Sequence, residues 1–373
     1  MTLRTIRRLL YRDIVWSVVF VALAFLSLFF FIDFVDALEG VGRNGYTVWN
    51  AAAGSLFEMP GHIYELFPIC VLIGTIYSMA RLAQSSEYTI LRTGGLGPGR
   101  ALALLTVLGV AFAVFTFAVG DYVAPITERE AVLMKAGFRG GLQIGRTGAW
   151  LKERRATPDG ERNVSVNVTR TGAQGVLEGI RIYELDADGR LRTRIEAQRA
   201  RVGDDAVWHL EEAQRTDWPT PELAASGAAI TSSRHNALAW NSTLSASVVA
   251  AAVLPVSTMS TIDLWRYSRH LSGQEQANQR HAIQFWKKAL YPLACVVMVA
   301  LALPFAYLHA RAGGISLKVF GGIMLGISFV LLNNVSGHLG MLRNWTPWIA
   351  AATPGLVYLG LSLAAFAWLV RFR

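Results

Sequence analysis

Residues 84–100, QSSEYTILRTGGLGPGR, separate two long apolar runs, and their reading decides how the rest of the chain is laid out. Arg81, Arg92 and Arg100 place this stretch on the cytoplasmic side of a membrane, because short loops rich in Lys and Arg stay inside. Two serines before Glu87 offer a helix cap, and Tyr88 and Leu91 fall three apart on one face. Gly94-Gly95 then stop the helix ahead of the Gly97-Pro98-Gly99 turn. The spacing predicts a short amphipathic helix at about residues 84–95. Such a helix is a surface on which a soluble partner can push.

Outward from it, the chain reads as membrane spans. Ile14 to Ile32 carries no charge and covers roughly 30 Å as a helix. Arg4, Arg7, Arg8 and Arg12 precede it and Asp33, Asp36 and Glu39 follow, which puts the N-terminus inside. A second span has its uncharged core at Leu66–Ala80 and needs a further turn or two from LFEMPGHIYE; Pro68 is expected to bend it or to mark its start. Glu58, His62 and Glu65 fall at its outer boundary, where water access explains charge better than a substrate path does. Ala101–Gly120 is a third span, ended by Asp121 and Pro125.

The composition then changes. Between about Ile126 and His281 the chain is polar and charged, with alternating runs at 163–170, 180–198 and 206–212 and a hairpin signal at Asp188-Gly189. Short strands in succession predict an antiparallel sandwich or roll outside the membrane. Thr261–Arg280 reads as a helical lead-in capped by Ser260 or Thr261. Trp286, Lys287, Lys288 and Tyr291 read as an interfacial anchor for a fourth span, Ala289–Leu308. Val319–Gly337, rich in glycine, and Trp348–Val370 complete six spans with both termini inside. The predicted fold is a six-helix membrane protein of 3+3 arrangement with an inserted all-β, jellyroll-like domain. Residues 1–125 hold helices one to three and the 84–95 helix, 126–260 the β domain, and 261–373 the connecting helix and helices four to six.

Composition agrees: of 373 residues 53% are hydrophobic and only 16% charged. The net charge of +9 is spread along the chain and flanks apolar runs, so it reads as membrane orientation and not as a nucleic-acid footprint. Cys70 and Cys295 lie inside apolar runs and read as buried thiols. GGLGPGR lacks the Lys-Ser/Thr of a phosphate-binding loop, and the seven histidines are scattered. No catalytic residues, metal ligands or cofactor site are predicted. With no nucleotide site of its own, the chain is expected to receive energy from a partner through the 84–95 helix.

Phe34-Val35-Asp36, LFPICVLIG at 66–74, LAQSSEYTILRTGG at 82–95, GDYVAP at 120–125 and IRIYELD at 180–186, in this order and spacing, resemble the LptF/LptG family of lipopolysaccharide export permeases, with the LptG branch the nearer. The resemblance covers essentially the whole chain. It implies an inner-membrane permease subunit, not an enzyme, whose β domain is periplasmic and extends toward a periplasmic bridge. It implies that Glu87, Tyr88, Ile90, Leu91 and Arg92 lie on a coupling helix docked into an LptB-like ATPase dimer, which holds the ATP and Mg. The other implied partners are an LptF-like permease, an LptC-like single-helix protein beside the first span, and lipopolysaccharide itself.

A phosphorylated glycolipid with acyl chains calls for basic groups at the outer rim and apolar walls below. Lys135 matches a basic family position, and Arg129, Arg139 and Arg43 are rim candidates by location, although ordinary solvated charges account for these three equally well. Phe320, Ile323, Ile327 and Leu331 are spaced to share one face and are the wall candidates, although helix packing explains that spacing nearly as well. The sequence departs from the enterobacterial pattern at Asp33, where that pattern has lysine, and at Glu39-Gly40, where it has a basic pair. Two rival readings are weaker. A lipoprotein-releasing exporter subunit would carry its large outer domain after the first span, and a membrane-anchored receptor or scaffold gives no reason for a coupling helix.

Overall fold

The computed structural model describes residues 3–85, 87–93, 95–139, 142–143, 148–157, 160–171, 176–203, 207–220, 226–242, 244, 258–270, 275–307 and 314–371. The chain divides into two compact units. The first is helical and comprises residues 1–37, 55–128 and 260–373; the second comprises 38–54 and 129–259.

Helix α1 (Leu3–Leu38) and helix α2 (Val48–Gln84) extend well beyond the uncharged runs inside them. A short α3 (Glu87–Thr93) leads to α4 (Pro98–Ala118). A π-helical turn, Val119–Val123, carries the chain into α5 (Ala124–Arg139). After the β region come α6 (Thr261–His270), α7 (Glu275–Leu290), α8 (Leu293–Tyr307), α9 (Ile315–Leu342) and α10 (Pro347–Arg371). Among the described residues five helices are long and apolar enough to cross a membrane, and the bent pair α7–α8 makes a sixth if taken as one span.

Two expectations at helix ends change. Pro68 does not start α2, which begins at Val48 and runs through both Pro60 and Pro68. The third apolar run does not stop at Asp121 and Pro125 either. The helix widens by one residue there, and the N–H of Ala124 reaches back to the carbonyl of Val119. Pro125 falls in the first turn after this break in the i−4 ladder, where its missing N–H costs little. The wide turn also directs Asp121 inward: its carboxylate is buried and accepts the N–H of Thr261 at 2.6 Å. Ser260 and Asp263 complete the start of α6 as a reciprocal cap, the N–H of Asp263 donating to Ser260 Oγ at 3.1 Å and Ser260 Oγ donating to Asp263 at 2.7 Å.

The bend between α7 and α8, about 50°, also has a local cause. Pro292 has no N–H for the carbonyl of Lys288, which instead accepts the Tyr64 hydroxyl at 3.3 Å. The Tyr64 ring reaches it only because residue 120 is glycine, since a Cβ there would come within 2.1 Å of the ring edge. Tyr291 donates to the carbonyl of Glu65 from the other side of the break. Elsewhere α1 and α2 touch backbone to backbone at Gly74, where a Cβ would come within 2.7 Å of Val18 Cα. Ile6, Leu10, Ile14 and Val18 of α1, Met79 and Leu82 of α2, and Leu105 and Leu108 of α4 share one core with Cys70 and Cys295, both free and buried.

The second unit is built on an antiparallel sheet: β1 (Leu142–Gln143), β2 (Ala149–Thr157), β3 (Gly160–Thr171), β4 (Leu177–Leu185), β5 (Leu191–Val202), β6 (Val207–Asp217) and β7 (Thr231–Asn241). Chain-order neighbours pair from β2 to β7, and β1 and β2 share one edge of β3. The strands carry the predicted alternation, with Val164, Val166, Val168, Ile180, Ile182, Ile195, Trp208 and Leu210 on the buried face. The sheet curls over that face. Arg155 of β2 donates to the carbonyl of Asn241 at the end of β7 and lies 4.9 Å from the Trp240 ring centre, while Ser242 donates to Glu153 at 2.8 Å. The β4–β5 turn is made by Asp186, whose carboxylate accepts the N–H of Arg190 at 2.8 Å and of Asp188 at 3.1 Å, with Gly189 at φ +79°.

Candidate functional site

Helix α3 is seven residues long, too short to persist in water by itself, so packing must hold it. Tyr88 and Leu91 supply that packing. Each is only 4% exposed, and both join Leu96, Ala101, Leu82, Ile6 and Leu10 in the helical core. The C-terminal end is closed by the N–H of Leu96 on the carbonyl of Leu91 at 3.0 Å, with Gly95 at φ +98°. Arg100 donates back to the Gly95 carbonyl at 3.1 Å, and Gly97-Pro98 starts α4 immediately afterwards. Ser86, part of the predicted cap, lies outside the described residues.

The surrounding platform is also tied. Arg81 of α2 meets Asp13 of α1 at 2.6 Å, and Tyr11 of α1 donates to the Leu104 carbonyl of α4 at 2.8 Å. On this base α3 presents Glu87, Ile90 and Arg92 outward, with Ile90 64% exposed. The five residues assigned to coupling therefore divide into two anchors, Tyr88 and Leu91, and three that face away from the bundle. Acid in the first turn and base in the last suit the helix dipole, and between them stands one large exposed apolar side chain. Such a surface fits a protein groove with an apolar floor and polar edges.

The basic candidates belong to the second unit. Arg43 is exposed in the α1–α2 turn, which is fixed to the end of α5 by Asn44 donating to the Phe138 carbonyl at 2.7 Å and by Tyr46 packing edge-on against Phe138. The structure thus brings the Arg43 turn to the helix that carries Arg129, exposed, and Lys135, half-buried with its Cε beside Gly54. The side chain of Arg139 lies outside the described residues. On α9, Phe320, Ile327 and Leu331 are exposed together with Met324 and Val335, while Ile323 is half-buried at the edge of this face. The opposite face carries Gly322 and Gly326 against Ile76 and Ile69 of α2. The apolar stripe on α9 is therefore not the face that packs within this chain.

Sequence reasoning missed Asp121 as the acceptor for α6, the Tyr64–Gly120 fit, and the Asp13–Arg81 pair. GDYVAP was conspicuous, but nothing in it indicated a widened turn. No group of three or more His, Cys, Asp or Glu among the described residues is arranged to hold a metal ion.

The model of the lipopolysaccharide export system permease family LptF/LptG matches residues 8–369. The lipopolysaccharide export system permease protein LptG of Escherichia coli K12 is 27% identical over 335 residues, 89% of each chain. The protein of the same name from Haemophilus influenzae is 24% identical over 360 residues, 96% of each chain. With a membrane-compatible helical unit, a curled β unit and a match over nearly its whole length, the chain belongs to the LptF/LptG family of lipopolysaccharide export permeases.

Proposed function

We propose that this chain couples ATP hydrolysis on a separate cytoplasmic subunit to extraction of lipopolysaccharide from the inner membrane, with α3 receiving the stroke. The observation that carries this reading is the division of α3 into buried anchors and an exposed face. Tyr88 and Leu91 fasten it to α1 and α4, so a force on Glu87, Ile90 and Arg92 passes into the membrane helices instead of unfolding a loop. The partner is an LptB-like ATPase dimer holding ATP and Mg; this chain supplies neither a catalytic residue nor a cofactor site.

The six crossings form a 3+3 arrangement with both termini cytoplasmic and the β unit periplasmic, its curled sheet serving as a jellyroll that continues toward a periplasmic bridge. Residues 1–125, 126–260 and 261–373 are the corresponding functional parts. The α9 stripe of Phe320, Ile323, Ile327 and Leu331 faces a cavity shared with an LptF-like permease, and an LptC-like helix lies beside α1. Lys135, Arg129, Arg139 and Arg43 form the basic rim that meets the phosphates of the lipid.

Cross-linking tests the docking directly, because both native cysteines are buried. In Ile90→Cys the introduced thiol is expected to cross-link to the co-expressed ATPase, while a cysteine placed at exposed Arg43 is expected not to. Equal labelling at the two positions, or none at Ile90→Cys, would overturn the coupling role.

A further inference from the structure

Lys287 and Lys288 are adjacent on α7 and so point about 100° apart. Lys288 faces the carboxylates of Asp121, Glu128 and Asp263. The Lys287 ammonium donates to the backbone carbonyl of Asn333 at 2.7 Å, crossing α9 at Gly337, where a Cβ would overlap it. An ammonium has three donors, so two remain, and among the described residues no carboxylate pairs with it.

Lys287 stands at the wall of a cavity of about 180 Å³ between α7, α8, α9 and α10, lined otherwise by side chains such as Leu290, Val297, Phe329, Pro354, Leu356 and Leu359. Gly355 keeps one wall open, with nothing within 4 Å of its Cβ position. In a bilayer an apolar groove gains nothing from the hydrophobic effect, so any preference must come from the charge. The volume is also below the roughly 300–1,000 Å³ of ordinary ligand pockets, which suits part of one acyl chain and not a many-chained glycolipid.

We propose that this cavity binds one acyl chain of an anionic glycerophospholipid, with Lys287 holding its phosphodiester, as a structural lipid site separate from the cargo path. The test uses the full chain in phosphatidylglycerol nanodiscs, with a trace of phosphatidylglycerol carrying a photoreactive diazirine in mid-chain. Labelling is mapped by mass spectrometry and is expected to concentrate on residues 351–359. It is expected to fall about fivefold or more in Lys287→Gln, which keeps a donor for Asn333, in Gly355→Leu, which fills the groove, and with a diazirine diacylglycerol that lacks the phosphate. Excess inorganic phosphate is expected not to compete. Equal labelling by the diacylglycerol probe would mean unselective boundary lipid and would overturn the proposal, and that arm decides even if a variant fails to insert. Displacement of the probe by lipopolysaccharide, or by free phosphate, would overturn it as well.

Discussion

Truncating Ile90 to alanine separates a docking surface from a structural one. Ile90 is 64% exposed, so roughly two thirds of its side chain remains to be covered by a partner. Full burial of an aliphatic side chain of this size contributes about 1.5–3 kcal/mol, and the part still available, less the methyl that alanine keeps, comes to about 1–1.5 kcal/mol. That corresponds to a fall of about tenfold in affinity for the ATPase. Leu91, one residue on, is 4% exposed inside the core, and Leu91→Ala is expected to cost about 2–5 kcal/mol of stability instead. The assay is ATPase binding to the nanodisc-embedded permease pair, with the thermal midpoint of each variant measured in parallel. Ile90→Ala is expected to weaken binding with an unchanged midpoint, and Leu91→Ala to lower the midpoint. If Ile90→Ala leaves affinity intact, the exposed face of α3 is not where the ATPase docks.

Gly120→Val would drive Tyr64 from its place against the Lys288 carbonyl, and a fall in the yield of folded protein is expected, whereas Tyr64→Phe removes only that hydrogen bond and is expected to cost about 1 kcal/mol in unfolding experiments. Asp186 has its carboxyl held below the usual carboxylate range, first by the N–H of Arg190 and then by the Arg192 guanidinium. Its contribution to the β4–β5 turn is therefore present above the usual carboxylate pKa and lost as pH falls through the depressed value. Asp186→Asn is expected to remove this part of the acid sensitivity, measured by hydrogen exchange at the turn.

The helices were legible wherever the sequence holds an uncharged run, as at Ile14–Ile32 and Val319–Gly337, because burial of backbone in lipid leaves few other solutions. The strands were legible from alternation, and the β4–β5 turn from Asp188-Gly189. The shared face of Tyr88 and Leu91 followed from their spacing, but which face of α3 would be buried required the positions of Ile6, Leu10 and Leu96. Helix ends were harder. Asp121 and Pro125 look like a stop, and only the widened turn with its inward carboxylate shows why the helix continues to Arg139. Trp286, Lys287, Lys288 and Tyr291 read as one interfacial anchor. Their separate neighbours were not legible: Lys288 faces an acidic cluster, Lys287 an apolar cavity, and Tyr291 the Glu65 carbonyl.

In the proposed function, α3 transmits work from a separate ATPase to the membrane helices. The measurement that tests this is ATP-driven release of lipopolysaccharide from proteoliposomes holding this chain, an LptF-like permease and an LptB-like ATPase, compared with the same vesicles carrying Glu87→Ala. Lower release at equal membrane insertion and equal folded stability is the predicted result. Release equal to that of the unaltered chain would contradict it.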